Sequence, residues 1–406
     1  MLCLFSVSCQ ESSLQEHVHR LFSREVTRQQ VVVPASFTPA SARHLSSQLD
    51  SVFNYFHKKR GFNGAVLVTK YDKVIYEGAF GYADFYHKDH LTTQTAFQLA
   101  SVSKQFTAMA VMMLQEQGKL SYDDSVQQYI PSFPYKGITI RSLLTHRSGL
   151  PNYTYFSDKL WPNRKAPMTN EDVLHLMEVY QPKIYHKPNT QFDYSNTGYC
   201  LLAAIVAHAS DMPFATFMQT QIFEPLQMTH TFTFSSDLHA PPAEVATGHT
   251  GSRQKRTTDY LDTVLGDKGV FSTVGDLYKW DQALYTDKLV KRETLNEAFT
   301  GTSMEKKKNE AYGFGWRVCQ LDCGDPVVFH AGLWHGYTSY ILRNPKDHSA
   351  LIILSNLPNG SLRPLKNEVQ QLLYPAPLQQ VAANKQRKVA SARPVKASHR
   401  SQKKAS

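Results

Sequence analysis

Phe97-Gln-Leu-Ala-Ser101-Val-Ser-Lys104-Gln-Phe-Thr-Ala-Met-Ala-Val-Met-Met-Leu114 opens a stretch that carries no Gly or Pro as far as Gln117. Strong helix formers dominate it, and Phe106, Met109, Ala110 and Met113 recur at helical spacing. The pattern predicts a buried helix with Ser101 at or near its N-terminus and Lys104 one turn on, on the same face. A serine hydroxyl is a weak nucleophile at its free pKa and needs a base or a depressed pKa nearby. A lysine one turn away can be that base when burial strips its proton. Free N–H groups at a helix start can also stabilise the oxyanion of a tetrahedral intermediate. Three other S-x-x-K matches, Ser252…Lys255, Ser303…Lys306 and Ser401…Lys404, lie in polar, lysine-rich stretches. With no apolar helix behind them they read as solvated surface.

Two further segments suit the same chemistry. Asp193-Tyr194-Ser195-Asn196-Thr197-Gly198 holds the chain's Y-x-N and precedes the apolar run Tyr199–His208. A turn entering a buried helix can aim a phenol and an amide into one cleft. The phenol of Tyr194 can shuttle a proton when a lysine is near. The amide of Asn196 can donate to a substrate carbonyl while accepting from that lysine. The bland alternative is an Asx-type turn with Tyr194 as packing. The third segment, His330-Ala331-Gly332, follows Val327-Val-Phe329 and precedes two strand-like runs, Tyr337–Leu342 and Ala350–Ser355. Asn344-Pro-Lys-Asp347 between them reads as a hairpin turn. His330 is therefore expected on an antiparallel strand, with Gly332 letting a substrate backbone approach closely. His249-Thr250-Gly251 matches the same pattern, but a basic polar stretch and not a strand surrounds it.

In this order, S-x-x-K, Y-x-N and a strand motif ending in Gly resemble the penicillin-recognising serine hydrolases. The tyrosine in the second motif points to the branch of class C β-lactamases, D-Ala-D-Ala carboxypeptidases, D-aminopeptidases and related esterases. Gly64–Val68, Leu143–Pro151, Gly269–Thr273 with Asp276–Trp280, and Tyr312–Trp316 are similar to that branch as well. The likeness runs from about residue 45 to about 373. It implies that Ser101 is acylated, with Lys104 and Tyr194 managing its proton. It implies that Asn196 holds the substrate amide or ester, and that the N–H groups of Ser101 and Leu333 form the oxyanion hole. Many members carry lysine where this chain has His330. A neutral imidazole attracts a carboxylate more weakly and in a pH-dependent way. D-amino-acid peptidase, amidase or esterase activity is thus expected ahead of strong β-lactam turnover.

The 406 residues, 42% of them apolar, suffice for one large catalytic unit of two subdomains. Strand-like Gly64–Thr69 and Lys73–Gly78 pair around Tyr71-Asp72, helices and loops dominate from Ser101 to about Leu284, and strands return from Gly313 to Ser355. Leu362–Leu373 closes the chain as a helix. The expected class is α+β, an α/β sandwich. Its antiparallel sheet joins N- and C-terminal strands between helices and carries a mostly helical insertion, β-lactamase/transpeptidase-like by resemblance. The site would lie in the groove between the two parts. Asn152–Lys165 and Gly248–Asp262 are the expected specificity loops.

The net charge of +10 is uneven: residues 381–406 hold eight Lys or Arg and no acid, leaving about +2 on the rest. Residues 377–406 read as a disordered basic tail. An anionic envelope polymer or lipid surface is a partner it could meet, or it has no fixed partner; no specific nucleic acid is expected, for want of a recognition module. Residues 1–9 resemble a leader remnant, with small Ser6 and Ser8 before Cys9 as in a lipoprotein signal peptide, although the apolar run is short and unflanked by Lys or Arg. That suggests a bacterial envelope or periplasmic protein anchored through Cys9, with 10–40 as linker and 41–376 as the hydrolase domain. A Cys319–Cys323 disulfide is feasible there, and Cys200 reads as a buried hydrophobe. His87 and His90 have a ligand-like spacing but no third partner, so no metal is expected; no nucleotide motif is present, so no cofactor is expected either. The competing reading is an inactive binding or scaffolding protein that works through its tail.

Overall fold

Tyr71 (φ 50°) and Asp72 (φ 62°) both adopt the left-handed conformation, the two-residue turn whose twist suits paired strands. They join β1 (Gly64–Lys70) to β2 (Lys73–Phe80). The structure, a computed structural model, describes residues 26–375 apart from 235–240, 242, 302, 306–309 and 322–323. The leader with Cys9, the pairing that needs Cys323, Lys306, and the basic tail lie outside the described residues.

Two small sheets follow β2. β3 (Tyr82–Asp84) pairs with β4 (Asp89–His90), while β5 (Phe97–Gln98), β6 (Phe232–Thr233) and β7 (Val270–Ser272) associate in the order β5-β7-β6. His87 and His90 thus belong to a hairpin, where three-residue spacing does not put them on one helical face. The late strands are β8 (Ser303–Glu305), β9 (Glu310–Tyr312), β10 (Arg317–Gln320), β11 (Pro326–Trp334), β12 (Tyr337–Asn344) and β13 (Ser349–Ser355). With β1 and β2 they form one eight-stranded antiparallel sheet ordered β2-β1-β13-β12-β11-β10-β9-β8. The expected sheet is present, and β8 and β9 extend it beyond the strand run expected to begin at Gly313. Their sequence is polar and lacks period-two alternation, so only pairing reveals them.

β1 and β13 are buried along their whole length, which is why they read as continuous apolar runs. Val66, Val68, Leu351 and Ile353 face α1 (Pro39–Arg60) and α10 (Leu362–Leu373), packing on Leu49, Phe53, Leu365 and Val369. Ala65, Leu67, Ile352 and Leu354 point the other way, into a larger helical core. That core is built from α2 (Lys104–Glu116), α3 (Ile140–Leu144), α4 (Tyr153–Leu160), α5 (Asn170–Tyr180), α6 (Asn196–Ser210), α7 (Phe214–Phe217), α8 (Val274–Ala283) and α9 (Arg292–Ala298). Burying a Leu or Phe side chain contributes roughly 1.5–3 kcal/mol, so the two-sided burial of the central strands holds these layers together.

α1 starts inside the expected linker: Pro39 occupies its first turn and the Thr38 hydroxyl accepts from Ser41 N–H. Upstream, Thr27 N–H donates to Asp287 Oδ1 at 2.8 Å and Gln29 N–H to Tyr285 O at 2.8 Å. Residues 27–29 are therefore bonded to the domain and are not a free connector. Cys200 is buried in α6, as expected for a small hydrophobe. Among the described residues no single helix is long and apolar enough to cross a membrane.

Candidate active site

Ser101 lies in a 3₁₀ turn, Ala100–Ser103, and Lys104 begins α2 directly after it. The expected helix start is thus one short turn late. The reason is anchoring on both sides. Leu99 N–H donates to Val270 O at 2.8 Å and Val270 N–H to Ser103 Oγ at 3.1 Å, while Ser339 Oγ donates to Leu99 O at 2.6 Å. Ala100, between these anchors, is held at φ 48°, a conformation that costs a residue with a Cβ. The strain sits beside the serine.

Lys104 is fully buried. Its Nζ lies 3.2 Å from Ser101 Oγ, 2.9 Å from Asn196 Oδ1 and 2.8 Å from the backbone oxygen of Asp267. The amide oxygen and the peptide oxygen can only accept, so two of the three Nζ directions must carry N–H. In the unprotonated amine the remaining direction, toward Ser101 Oγ, is the lone pair. The geometry is that of a base aimed at a hydroxyl.

Asn196 opens α6, and with its oxygen on Lys104 its NH₂ is left as a donor. Tyr194, two residues earlier, turns its ring under the same amine, 5.0 Å from Nζ to the ring centroid. His146 holds that segment. Its carbonyl accepts from Asp193 N–H at 2.8 Å, its Nδ1 accepts from Ser195 N–H at 3.2 Å, and its ring packs 4.2 Å from that of Tyr194. Burial, then the Lys104 charge, pushes the His146 pKa well below the usual histidine range.

The opposite wall is β11. His330 is buried, with Nδ1 2.9 Å from Ala331 O and Nε2 3.0 Å from the Tyr312 hydroxyl. The carbonyl requires Nδ1–H, so Nε2 accepts from Tyr312. Burial, followed by the charges of Lys104 and Arg317, keeps the ring neutral by lowering its pKa well below the histidine norm. Both nitrogens are engaged inside the protein, so the pH-dependent attraction expected of His330 does not come from a solvent-facing imidazole. Gly332 is closely packed within the protein. A Cβ there would stand 2.3 Å from Leu99 O and 2.4 Å from Ser339 Oγ. The Gly332 backbone is thus packed against the turn that carries Ser101. Leu333 follows with its side chain largely exposed.

The structure therefore brings Ser101, Lys104, Tyr194 and Asn196 together around one amine and sets His330 behind Tyr194, ring centroids 6.4 Å apart. Residues that sequence reasoning passed over join them. Arg317 on β10 lies 5.8 Å from the Tyr194 ring and 3.0 Å from Glu310 Oε2. Asp267 and Lys268 stand behind Lys104. Their signal was a charged pair set between Gly266 and Gly269 just ahead of the apolar Val270-Phe271, which composition alone does not separate from a loop.

Comparison with known proteins shows the family. The family model described as Beta-lactamase matches residues 49–374. Penicillin-binding protein 4* of Bacillus subtilis (strain 168) is 36% identical, over 76% of this chain and 71% of its own. The octameric penicillin-binding protein homologue from Pyrococcus abyssi superposes with a TM-score of 0.72 at 25% identity, covering 81% of this chain and 77% of that one. D-amino acid amidase from Ochrobactrum anthropi SV3 shares the fold, with a TM-score of 0.69 at 21% identity over 84% of this chain and 99% of its own. The chain belongs to the β-lactamase/transpeptidase-fold family of serine hydrolases that includes penicillin-binding proteins. The antiparallel sheet flanked by helices is the fold of that family.

Proposed function

We propose that this protein is an active serine hydrolase that forms a covalent acyl-enzyme at Ser101 on small amide, peptide or ester substrates. The observation that carries the reading is the setting of Lys104 Nζ, which two obligate acceptors, Asn196 Oδ1 and Asp267 O, hold with its third direction toward Ser101 Oγ. The amine takes the Ser101 proton as Oγ attacks the substrate carbonyl. The oxyanion is received by the N–H groups of Ser101 and Leu333. Tyr194 passes the proton to the leaving group, which departs and leaves the acyl-serine ester; water then cleaves that ester by the reverse relay. Asn196 Nδ2 holds the substrate carbonyl next to the scissile bond.

D-amino-acid peptides, amides and esters are the preferred class over β-lactams. Support comes from the neutral His330, which offers no fixed charge for a substrate carboxylate. The Arg317 guanidinium lies beside Tyr194 but is paired with Glu310. A bacterial envelope location, with Cys9 as lipid anchor and the tail on an anionic surface, belongs to the same proposal; its support is sequence alone, and fractionation of cells with Cys9→Ala tests it.

The test of activity is labelling by a fluorophosphonate and by a fluorescent penicillin, each with wild type and Ser101→Ala. Stoichiometric labelling lost in the variant supports the reading. No labelling of folded wild-type protein by either probe would leave a binding protein on a hydrolase fold. p-Nitrophenyl esters, nitrocefin and D-Ala-D-Ala peptides run side by side identify the class.

A further inference from the structure

A second lysine, Lys268, is buried directly behind the first and has no part in the relay. Its side chain is 3% exposed. Nζ donates to the Tyr153 hydroxyl at 2.6 Å and to Val264 O at 3.0 Å, and lies 3.7 Å from Asp267 Oδ1. The rings of Tyr153 and Trp334 stand 5.2 and 5.0 Å from it, contacts that favour a cation. The Tyr153 O–H points in turn between the two Asp267 oxygens, at 3.1 Å from each. Lys268, Tyr153 and Asp267 thus form one buried chain, ammonium to phenol to carboxylate. Burying a lysine with no direct role in chemistry costs several kcal/mol, so its position calls for an explanation.

The chain ends at the peptide that holds the base. Asp267 O accepts from Lys104 Nζ at 2.8 Å. The flanking backbone is pinned as well: Gly266 O accepts from Thr107 Oγ1 at 2.7 Å, and a Cβ on Gly266 would stand 2.3 Å from Tyr199 O. We propose that Lys268, acting through Asp267 and Tyr153, is a positioning residue for Lys104: it fixes the carbonyl that aims the amine at Ser101 and offsets the charge of the residue that supplies that carbonyl. The inference rests on the acyl-enzyme reading above.

The electrostatic half follows from the charges present. An uncompensated Asp267 carboxylate would stabilise the protonated amine of Lys104 and make it a poorer base. The Lys268 ammonium offsets that carboxylate. Other groups near the pair are Asp262, bonded to the Trp334 indole and beside His335, and the thiol of Cys200, kept protonated chiefly by burial. Around Lys104 itself are Tyr194, Tyr199, His146, His330 and Arg317. Burial lowers the Lys268 pKa first, Asp267 and Asp262 hold it up, and the charge of Lys104 lowers it again, so the two amines sense each other.

The experiment is the pH dependence of the second-order rate of fluorophosphonate acylation in wild type, Lys268→Met and Asp267→Asn. The position of its acidic limb is the readout. In Lys268→Met the limb moves up by about half a pH unit or more, and in Asp267→Asn it moves down by a similar amount. Damage to packing alone lowers the rate at every pH and moves neither limb. Unmoved limbs, or shifts in one direction for both variants, overturn the proposal. Asp267→Asn keeps shape and an acceptor for Tyr153; if Lys268→Met does not fold, the downward shift in Asp267→Asn decides alone. Loss of labelling in Ser101→Ala, checked in the same series, reports separately on the acyl-enzyme reading.

Discussion

On the helical wall of the site, Lys104 Nζ meets three oxygens within 3.2 Å, drawn from the turn leading into α2, from α6 and from the loop before β7. On the sheet wall, His330 has its two nitrogens bonded to Tyr312 and to its neighbour's carbonyl, and Gly332 presses its backbone against the Ser101 turn. The first wall holds the groups proposed above to move protons. The second holds shape: a buried neutral ring, a glycine contact and backbone N–H groups. A motif matched by residue type can therefore serve either as chemistry or as architecture, and burial with partner identity tells which.

Each prediction tests that division. Lys104→Met removes the base and lowers the acylation rate by about 10³-fold or more, measured by probe kinetics on protein checked for a native melt. A drop under tenfold would place the base elsewhere. Gly332→Ala puts a methyl against Leu99 O and pushes β11 off the Ser101 turn. Displacements of that size cost roughly 10²-fold in kcat/KM, with about 1–3 kcal/mol lost in urea unfolding from overpacking. An unchanged kcat/KM would show that the glycine is needed for neither contact nor aim.

A smaller effect is on stability against pH. His146 and His330 are neutral when folded, with pKa values depressed below that of the unfolded chain. Below the unfolded histidine value the unfolded state binds more protons, so stability present above about pH 6.5 is lost as pH falls. The slope is roughly 1.4 kcal/mol per pH unit for each such histidine. Urea melts between pH 4.5 and 7 in wild type and His330→Gln read it, and the variant has the shallower slope; equal slopes would mean His330 ionises within the fold. The smallest effect is His330→Gln on catalysis. A neutral side chain that can still bond Tyr312 leaves kcat/KM within about threefold and leaves the pH profile unmoved between 6 and 7. A lost limb there would return His330 to the chemical wall.

Much of the site was legible because its chemistry needs side chains at short sequence spacing. Ser101 and Lys104 are one turn apart before an apolar run, and Tyr194 and Asn196 open another. The central strands β1 and β13 were legible because two-sided burial favours nearly continuous apolar residues. β8 and β9 were not, since a sheet's polar edge is defined by hydrogen bonds to its neighbour and carries no period of its own. The contributions of Arg317, Asp267 and His146 were hidden for a related reason. Each acts through a contact with a residue from about 50 to more than 160 positions away in the chain.

What the order of residues determined by itself is the protein family: a serine three residues before a lysine at the head of an apolar helix, a tyrosine and an amide before a second helix, and strands apolar enough to be central. Only the folded chain decided the division of labour. It turned His330 and Gly332 inward, placed a peptide oxygen on the amine, and set a second lysine behind it. Those outcomes depend on which distant backbone approaches and on how much water it excludes. Neither quantity is local to any stretch of sequence.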